Sequence, residues 1–116
     1  MTVDQRIRTA LLPLGYPVEN AVYQGTEKTY FTFQYTTITT DFADDTPGHE
    51  RFLITVSLFS PLNNADINQL IKRTKKALFA AGFTWPETFN NSDDDGRNII
   101  FECETAEGVD PDGEDE

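Results

Sequence analysis

Histidine, cysteine, methionine and tryptophan occur once each in the 116 residues. The lone cysteine, Cys103, can close no internal disulfide, so a packed core has to supply the stability, and a reducing cytosol suits the chain. The lone histidine, His49, cannot by itself make the His/Cys spacing of a zinc site. Nothing around it resembles a Ser or Cys nucleophile, and there is no glycine-rich phosphate loop or pair of catalytic acids. The opening residues, Met-Thr-Val-Asp-Gln-Arg-Ile-Arg, lack the apolar run of a signal peptide, and no apolar stretch is long enough to span a bilayer. The expectation is a protein that is not an enzyme, needs no cofactor and meets no membrane.

Bases are scarce as well. Nine Lys and Arg stand against 20 Asp and Glu, a net charge of −11. Seven of those acids (Glu104, Glu107, Asp110, Asp112, Glu114, Asp115, Glu116) fall in the last 13 residues, so residues 1–103 carry 13 acids and 9 bases, a net of −4. A body that lacks a basic excess does not grip a phosphate backbone. The length suits one domain with one core, expected over residues 1–104, followed by a flexible acidic segment over 105–116.

What is present is periodicity. Thr2 and Gln5 have the spacing of a capping box, and Val3, Ile7, Ala10, Leu11 and Leu14 recur at helical spacing, so a helix is predicted from Val3 to Leu12, stopped by Pro13 and Gly15. Ala21-Val22-Tyr23 reads as a short strand. Thr29 to Thr40 alternates, with Phe31, Phe33, Tyr35 and Thr37 on one face and Tyr30, Thr32, Gln34, Thr36 and Ile38 on the other. After an acidic loop holding Asp41, Asp44 and Asp45, the segment His49 to Phe83 switches period from two to 3.6. Phe52, Ile54, Val56 and Leu58 face inward on a strand, with Leu53, Thr55, Ser57 and Phe59 facing away. Ser60-Pro61 ends that strand, and Asn63 or Asn64 is placed to cap a second helix. Its buried stripe is Ile67, Leu70, Ile71, Thr74, Leu78 and Ala81, and Gly82 stands at the C′ position. Phe83 to Glu87 reads as a short strand broken by Pro86. Asn90 to Gly96 is a turn, and Ile99, Phe101 and Cys103 mark the inward face of a last strand.

The predicted architecture is α+β: a mainly antiparallel sheet of four to five strands, with both helices packed on one face. The other face keeps Leu53, Phe59, Tyr30 and Ile38, apolar groups that a neighbour could cover. Trp85 reads as packing or as an interface anchor. Lys72, Arg73, Lys75 and Lys76 form the one basic cluster. They read either as a solvated helix face or as a contact for an acidic neighbour, including another copy of the chain. Leu53, Phe59, Trp85, Lys72, Arg73, Lys75 and Lys76 are therefore the candidate interface residues. The Asp93-Asp94-Asp95-Gly96 run lacks the alternate spacing and terminal Glu of a calcium loop and reads as a turn.

The succession Asp41-Phe42-Ala43-Asp44-Asp45, His49 through Ser60-Pro61, Lys75-Lys76-Ala77-Leu78-Phe79-Ala80-Ala81-Gly82-Phe83 and Asn98-Ile99-Ile100-Phe101-Glu102 resembles the tail-terminator, or tail-completion, proteins of long-tailed bacteriophages. The segments Leu11 to Val18 and Val22-Tyr23-Gln24-Gly25 fit the same pattern. The likeness covers about residues 1–104 and rests on short phrases and element order, with no catalytic motif. It implies an α+β subunit of the virion, at the head-proximal end of the tail, that assembles as a hexameric ring. Such a ring caps the tail tube, ends its polymerisation and offers the surface that docks on the head-tail connector. Its partners would be itself, the tail tube protein and the connector protein, with DNA passing through unread. Two other classes compete. One is an acidic DNA mimic that inhibits a host nucleic-acid enzyme, motivated by the net charge. The other is a small hydrolase or isomerase built on His49.

Overall fold

In a computed structural model, which describes residues 2–39 and 50–105, the elements run α1 (Val3–Leu11), β1 (Val18–Asn20), β2 (Tyr30–Thr39), β3 (Glu50–Ser60), α2 (Ile67–Ala80), β4 (Glu87–Asn90) and β5 (Arg97–Glu104). His49, the acids Asp41, Asp44 and Asp45, the side chain of Ile38 and residues 106–116 lie outside the described residues. The strands form one five-stranded sheet in the order β1-β2-β3-β5-β4. The α+β class, the mostly antiparallel sheet and the two helices are as predicted.

α1 starts as its sequence demands. The Gln5 backbone N–H donates to Thr2 Oγ1 at 3.1 Å, and the Thr2 N–H donates to Gln5 Oε1 at 2.9 Å, so two N-terminal donors are satisfied reciprocally. Val3, Ile7 and Leu11 are buried, and the chain then tightens into a 3₁₀ turn over Leu12–Leu14.

β3 is central. It pairs antiparallel with β2 from Tyr30↔Phe59 to Thr39↔Glu50, and on its other edge with β5 from Leu53↔Glu104 to Ser60↔Arg97. Alternation therefore carries across three strands at once. Phe52, Ile54, Val56 and Leu58 are buried, as are Phe31 and Phe33 on β2 and Ile99, Phe101 and Cys103 on β5. They join Ile7, Leu11, Ile67, Leu70 and Leu78 from the helices in a single core. Both helices thus cover one face of the sheet, and nothing among the described residues covers the other.

Four details depart from the sequence reading. First, β1 is Val18–Asn20 rather than Ala21–Tyr23, and it runs parallel to β2. A parallel connection ordinarily takes a dozen or more residues. Here the nine residues 21–29 suffice, because β1 is only three residues long. Ala21 turns the chain with φ of 68°, and Tyr23 stacks on Tyr30 at 4.4 Å to pin the return. Second, neither asparagine caps α2. Asn64 Oδ1 accepts from the Asp66 N–H at 2.9 Å and its Nδ2 donates to Ser60 Oγ at 2.8 Å, so it organises the turn, and α2 begins one residue after Asp66. Third, the strand after α2 is Glu87–Asn90; Pro86 has no N–H to give a ladder and stands just before it. Fourth, Thr105 belongs to the domain. It is buried, its Oγ1 accepts from the Phe52 N–H at 3.1 Å, and its own N–H donates to Phe52 O at 3.1 Å.

α2 ends in a Schellman motif. The Phe83 N–H donates to Leu78 O at 3.2 Å and the Gly82 N–H to Phe79 O at 3.1 Å, with Gly82 at φ 100°. Phe83 and Leu78, the residues the motif brings together, are both buried. A Cβ on Gly82 would meet nothing nearer than an Arg6 guanidinium nitrogen at 3.7 Å, so sterics leave room and only the left-handed backbone resists a side chain. Gly82→Ala is therefore expected to keep the fold and lose about 1–2 kcal/mol in urea unfolding; an unchanged midpoint would show that the backbone can relax there.

Candidate functional site

Sheet register places the sequence-selected side chains on three separate surfaces. Phe59 lies on the uncovered sheet face, directly opposite Tyr30. Their rings stack at 4.9 Å, and Tyr23 extends the stack beyond Tyr30. Gly25 leaves the space that the Tyr23 ring occupies, and Tyr23 Oη accepts from the Glu27 N–H at 2.9 Å. Tyr30 and Phe59 also line a hollow of about 460 Å³ whose rim carries Lys28, Asp95 and Arg97. Tyr30 and Phe59 are half-buried by one another rather than fully presented.

Leu53 lies on the same face but six residues back along β3, roughly 20 Å from Phe59 at strand spacing. It is 37% exposed. Across the strand boundary its partner is Glu104, and Thr55, two residues on, faces Glu102. Glu102 in turn is directly opposite Glu87 on β4. Like charges in that relation repel across the ladder, and a cation between them would offset the cost. Leu53, Glu87, Glu102 and Glu104 share a shallow hollow of about 220 Å³ with Thr84 and Trp85. Trp85 is 52% exposed and meets the 57% exposed Phe79 edge-on at 5.5 Å. The structure thus brings Leu53 and Trp85 together and leaves Phe59 apart.

The basic cluster is on the opposite layer. Lys72, Arg73 and Lys76 are exposed and Lys75 is half-buried, on the side of α2 away from Ile67, Leu70, Thr74 and Leu78. None of the four pairs with an acid among the described residues. By contrast Arg8, on α1, is engaged in the fold. Its Nε donates to Asp4 Oδ1 at 2.6 Å, another guanidinium nitrogen donates to Val18 O at 3.0 Å, and the group lies 5.4 Å from the centre of the Phe33 ring. A groove of about 640 Å³ runs between the helices, floored by Ala10, Ala77, Ala80 and Ala81.

Two contributors were missed in the sequence. Phe79 lies off the buried stripe; its signal in the sequence is an aromatic residue on the charged side of α2. Phe89, 46% exposed on β4 and opposite Ile100, escaped because the strand was placed four residues early. Among the described residues no group of three or more His, Cys, Asp or Glu could hold a metal ion, and no helix is long and apolar enough to cross a membrane. Asp93 Oδ1 accepts from the Asp95 N–H at 2.9 Å, so the acidic run closes a turn before β5.

No protein-family model and no curated protein matches the sequence. The fold has precedent in solved structures. One chain, whose name states no activity, superposes with a TM-score of 0.60 over 88% of this chain and 90% of its own, at 10% identity. Likeness at that identity reaches the fold alone.

Cys103 sits among Ile99 and Phe101 on the inward face of β5. Burial, with a smaller contribution from the Glu104 charge, pushes its thiol from 9.0 up to about 12. The neutral thiol is the form the fold holds, so this contribution to stability is complete below pH 9.0 and is lost as pH rises toward about 12. Native protein is accordingly expected to react with a thiol reagent at pH 8 far more slowly than protein unfolded in guanidinium; equal rates would place Cys103 at the surface.

Proposed function

We propose that this chain is a structural assembly protein of a bacteriophage tail: a terminator that forms a ring on the end of the tail tube, stops its growth and presents a docking surface to the head-tail connector. The observation that carries the reading is a two-layer domain with one sheet face left open among the described residues. Helices cover one side of the sheet, while Leu53, Tyr30, Phe59 and Phe89 stay wholly or partly accessible on the other. A soluble domain with such a face gains by covering it with a neighbour. The resemblance in sequence phrases to tail terminators supplies the kind of assembly, and the proposed ring is hexameric.

Charge supports the same reading over the DNA-mimic alternative. The acids are concentrated in residues 104–116, whereas residues 1–103 carry a net of only −4. A lumen without a basic lining would let DNA pass without holding it. Nothing in the reading calls on His49 for chemistry.

The test is tube growth in vitro. Purified tail tube subunits from the same phage are polymerised with and without this protein, and tube lengths are measured by electron microscopy. Shortened tubes bearing a cap at one end are expected, with the same result from a chain truncated after Thr105. Unchanged lengths, together with failure to bind tube ends, would overturn the reading. Loss of all activity on truncation, with inhibition of a nucleic-acid enzyme by the full chain, would favour the DNA mimic.

A further inference from the structure

Two charge clusters lie on different layers of the molecule. Lys72, Arg73, Lys75 and Lys76 project from the outer side of α2, above the core. Glu87 and Glu102 stand opposite one another on the uncovered face of the sheet, with Glu104 and the exposed Leu53 beside them. Neither Glu87, Glu102 nor any of the four bases finds an ion-pair partner among the described residues. Each cluster is costly or idle alone, and each is what the other lacks. Four of the chain's nine bases fall within residues 72–76, so the complementarity is concentrated rather than spread.

We infer that a second copy of the chain is the occupant of the uncovered sheet face, with its α2 bases set against Glu87, Glu102 and Glu104 and its helix layer covering Leu53. This rests on the assembly reading above and adds to it the two surfaces that meet. Direction follows from their placement. With the clusters on different layers, a contact that sets the basic layer of one copy on the acidic layer of the next is head-to-tail. Repetition of such a contact gives a ring if the rotation closes and a filament if it does not. Trp85, which lines the acidic hollow, and Phe79, which packs edge-on against it from α2, give the contact an exposed aromatic rim. Screening reaches within about 8 Å at physiological ionic strength, so exposed pairs of this kind weaken as salt is added.

Charge reversal tests the pairing, because a contact between a basic and an acidic surface is restored when both signs are reversed. One variant carries Lys72→Glu and Lys76→Glu; a second carries Glu87→Lys and Glu102→Lys. Light scattering should find the wild type as an oligomer, and each variant alone shifted to the 13.1 kDa monomer. Mixed in equal amounts they should reassemble in alternation, since each reversed surface then meets its complement, and a chain carrying all four changes should assemble by itself. All the changed positions are exposed, and circular dichroism checks folding. If a reversed variant unfolds, the neutral pairs Lys72→Gln with Lys76→Gln and Glu87→Gln with Glu102→Gln are read instead, with loss of oligomer at lower salt than the wild type expected. Wild-type oligomers that survive both reversals would overturn these surfaces and leave the assembly reading standing. Monomeric variants that mixing does not rescue would likewise overturn the head-to-tail pairing and point to another partner for the charged faces. A wild type that stays monomeric at low salt and high concentration would overturn the inference, and failure to cap tubes as well would remove the reading beneath it.

Discussion

Everything in the domain is referred to β3, which is paired along both edges. β2 holds one side and β5 the other, so the alternation of eleven residues, Glu50–Ser60, decides which side chains of three strands enter the core. A slip of one residue would turn Phe52, Ile54, Val56 and Leu58 out to solvent and bring Leu53, Thr55, Ser57 and Phe59 in. Burial of large apolar side chains at about 1.5–3 kcal/mol each makes that alternative untenable. α2 follows within a few residues of β3, and its stripe packs on the face that β3 has already made apolar. The Schellman turn at Gly82 then returns the chain so that Phe83 closes the same core.

The same constraint defines the surface. Alternation sends one set of side chains away from the helices, and among the described residues no second layer receives them. That face is not evenly apolar. At one end it is closed by its own aromatic stack, Tyr23, Tyr30 and Phe59; at the other, Leu53 lies open among acids. Four of the chain's nine bases sit on the other layer, on α2. A basic side of α2 and an acidic hollow beside Leu53, set on different layers, suit repeated one-way contact better than closed pairing.

The long periodic segments were legible. The capping box, the inward faces of β2, β3 and β5, the stripe of α2 and the C′ glycine could all be read because each rests on local geometry that a few residues express. The parallel pairing of β1 was not legible, since it depends on Ala21 taking a positive φ and on Tyr23 reaching Tyr30, neither of which leaves a pattern in sequence. β4 was misplaced because Trp85-Pro86 interrupts the run that Phe83 begins, and Phe83 proved to serve the core and Thr105 instead of the ladder. Of the candidate interface residues, Leu53 and the α2 bases could be assigned to faces by period alone. The nearness of Trp85 to Leu53, and the facing of Glu87 by Glu102, needed the register of two strands far apart in sequence.

The central claim is that the basic layer of one copy meets the acidic layer of the next. Zero-length carbodiimide cross-linking of an equal mixture of nitrogen-15-labelled and unlabelled protein measures this directly, because Lys72, Lys75 and Lys76 are on the opposite layer from Glu87, Glu102 and Glu104 within one chain. Cross-links joining these lysines to these glutamates in mixed-isotope pairs are the expected result. Their absence from an oligomer that cross-links readily elsewhere would contradict the claim.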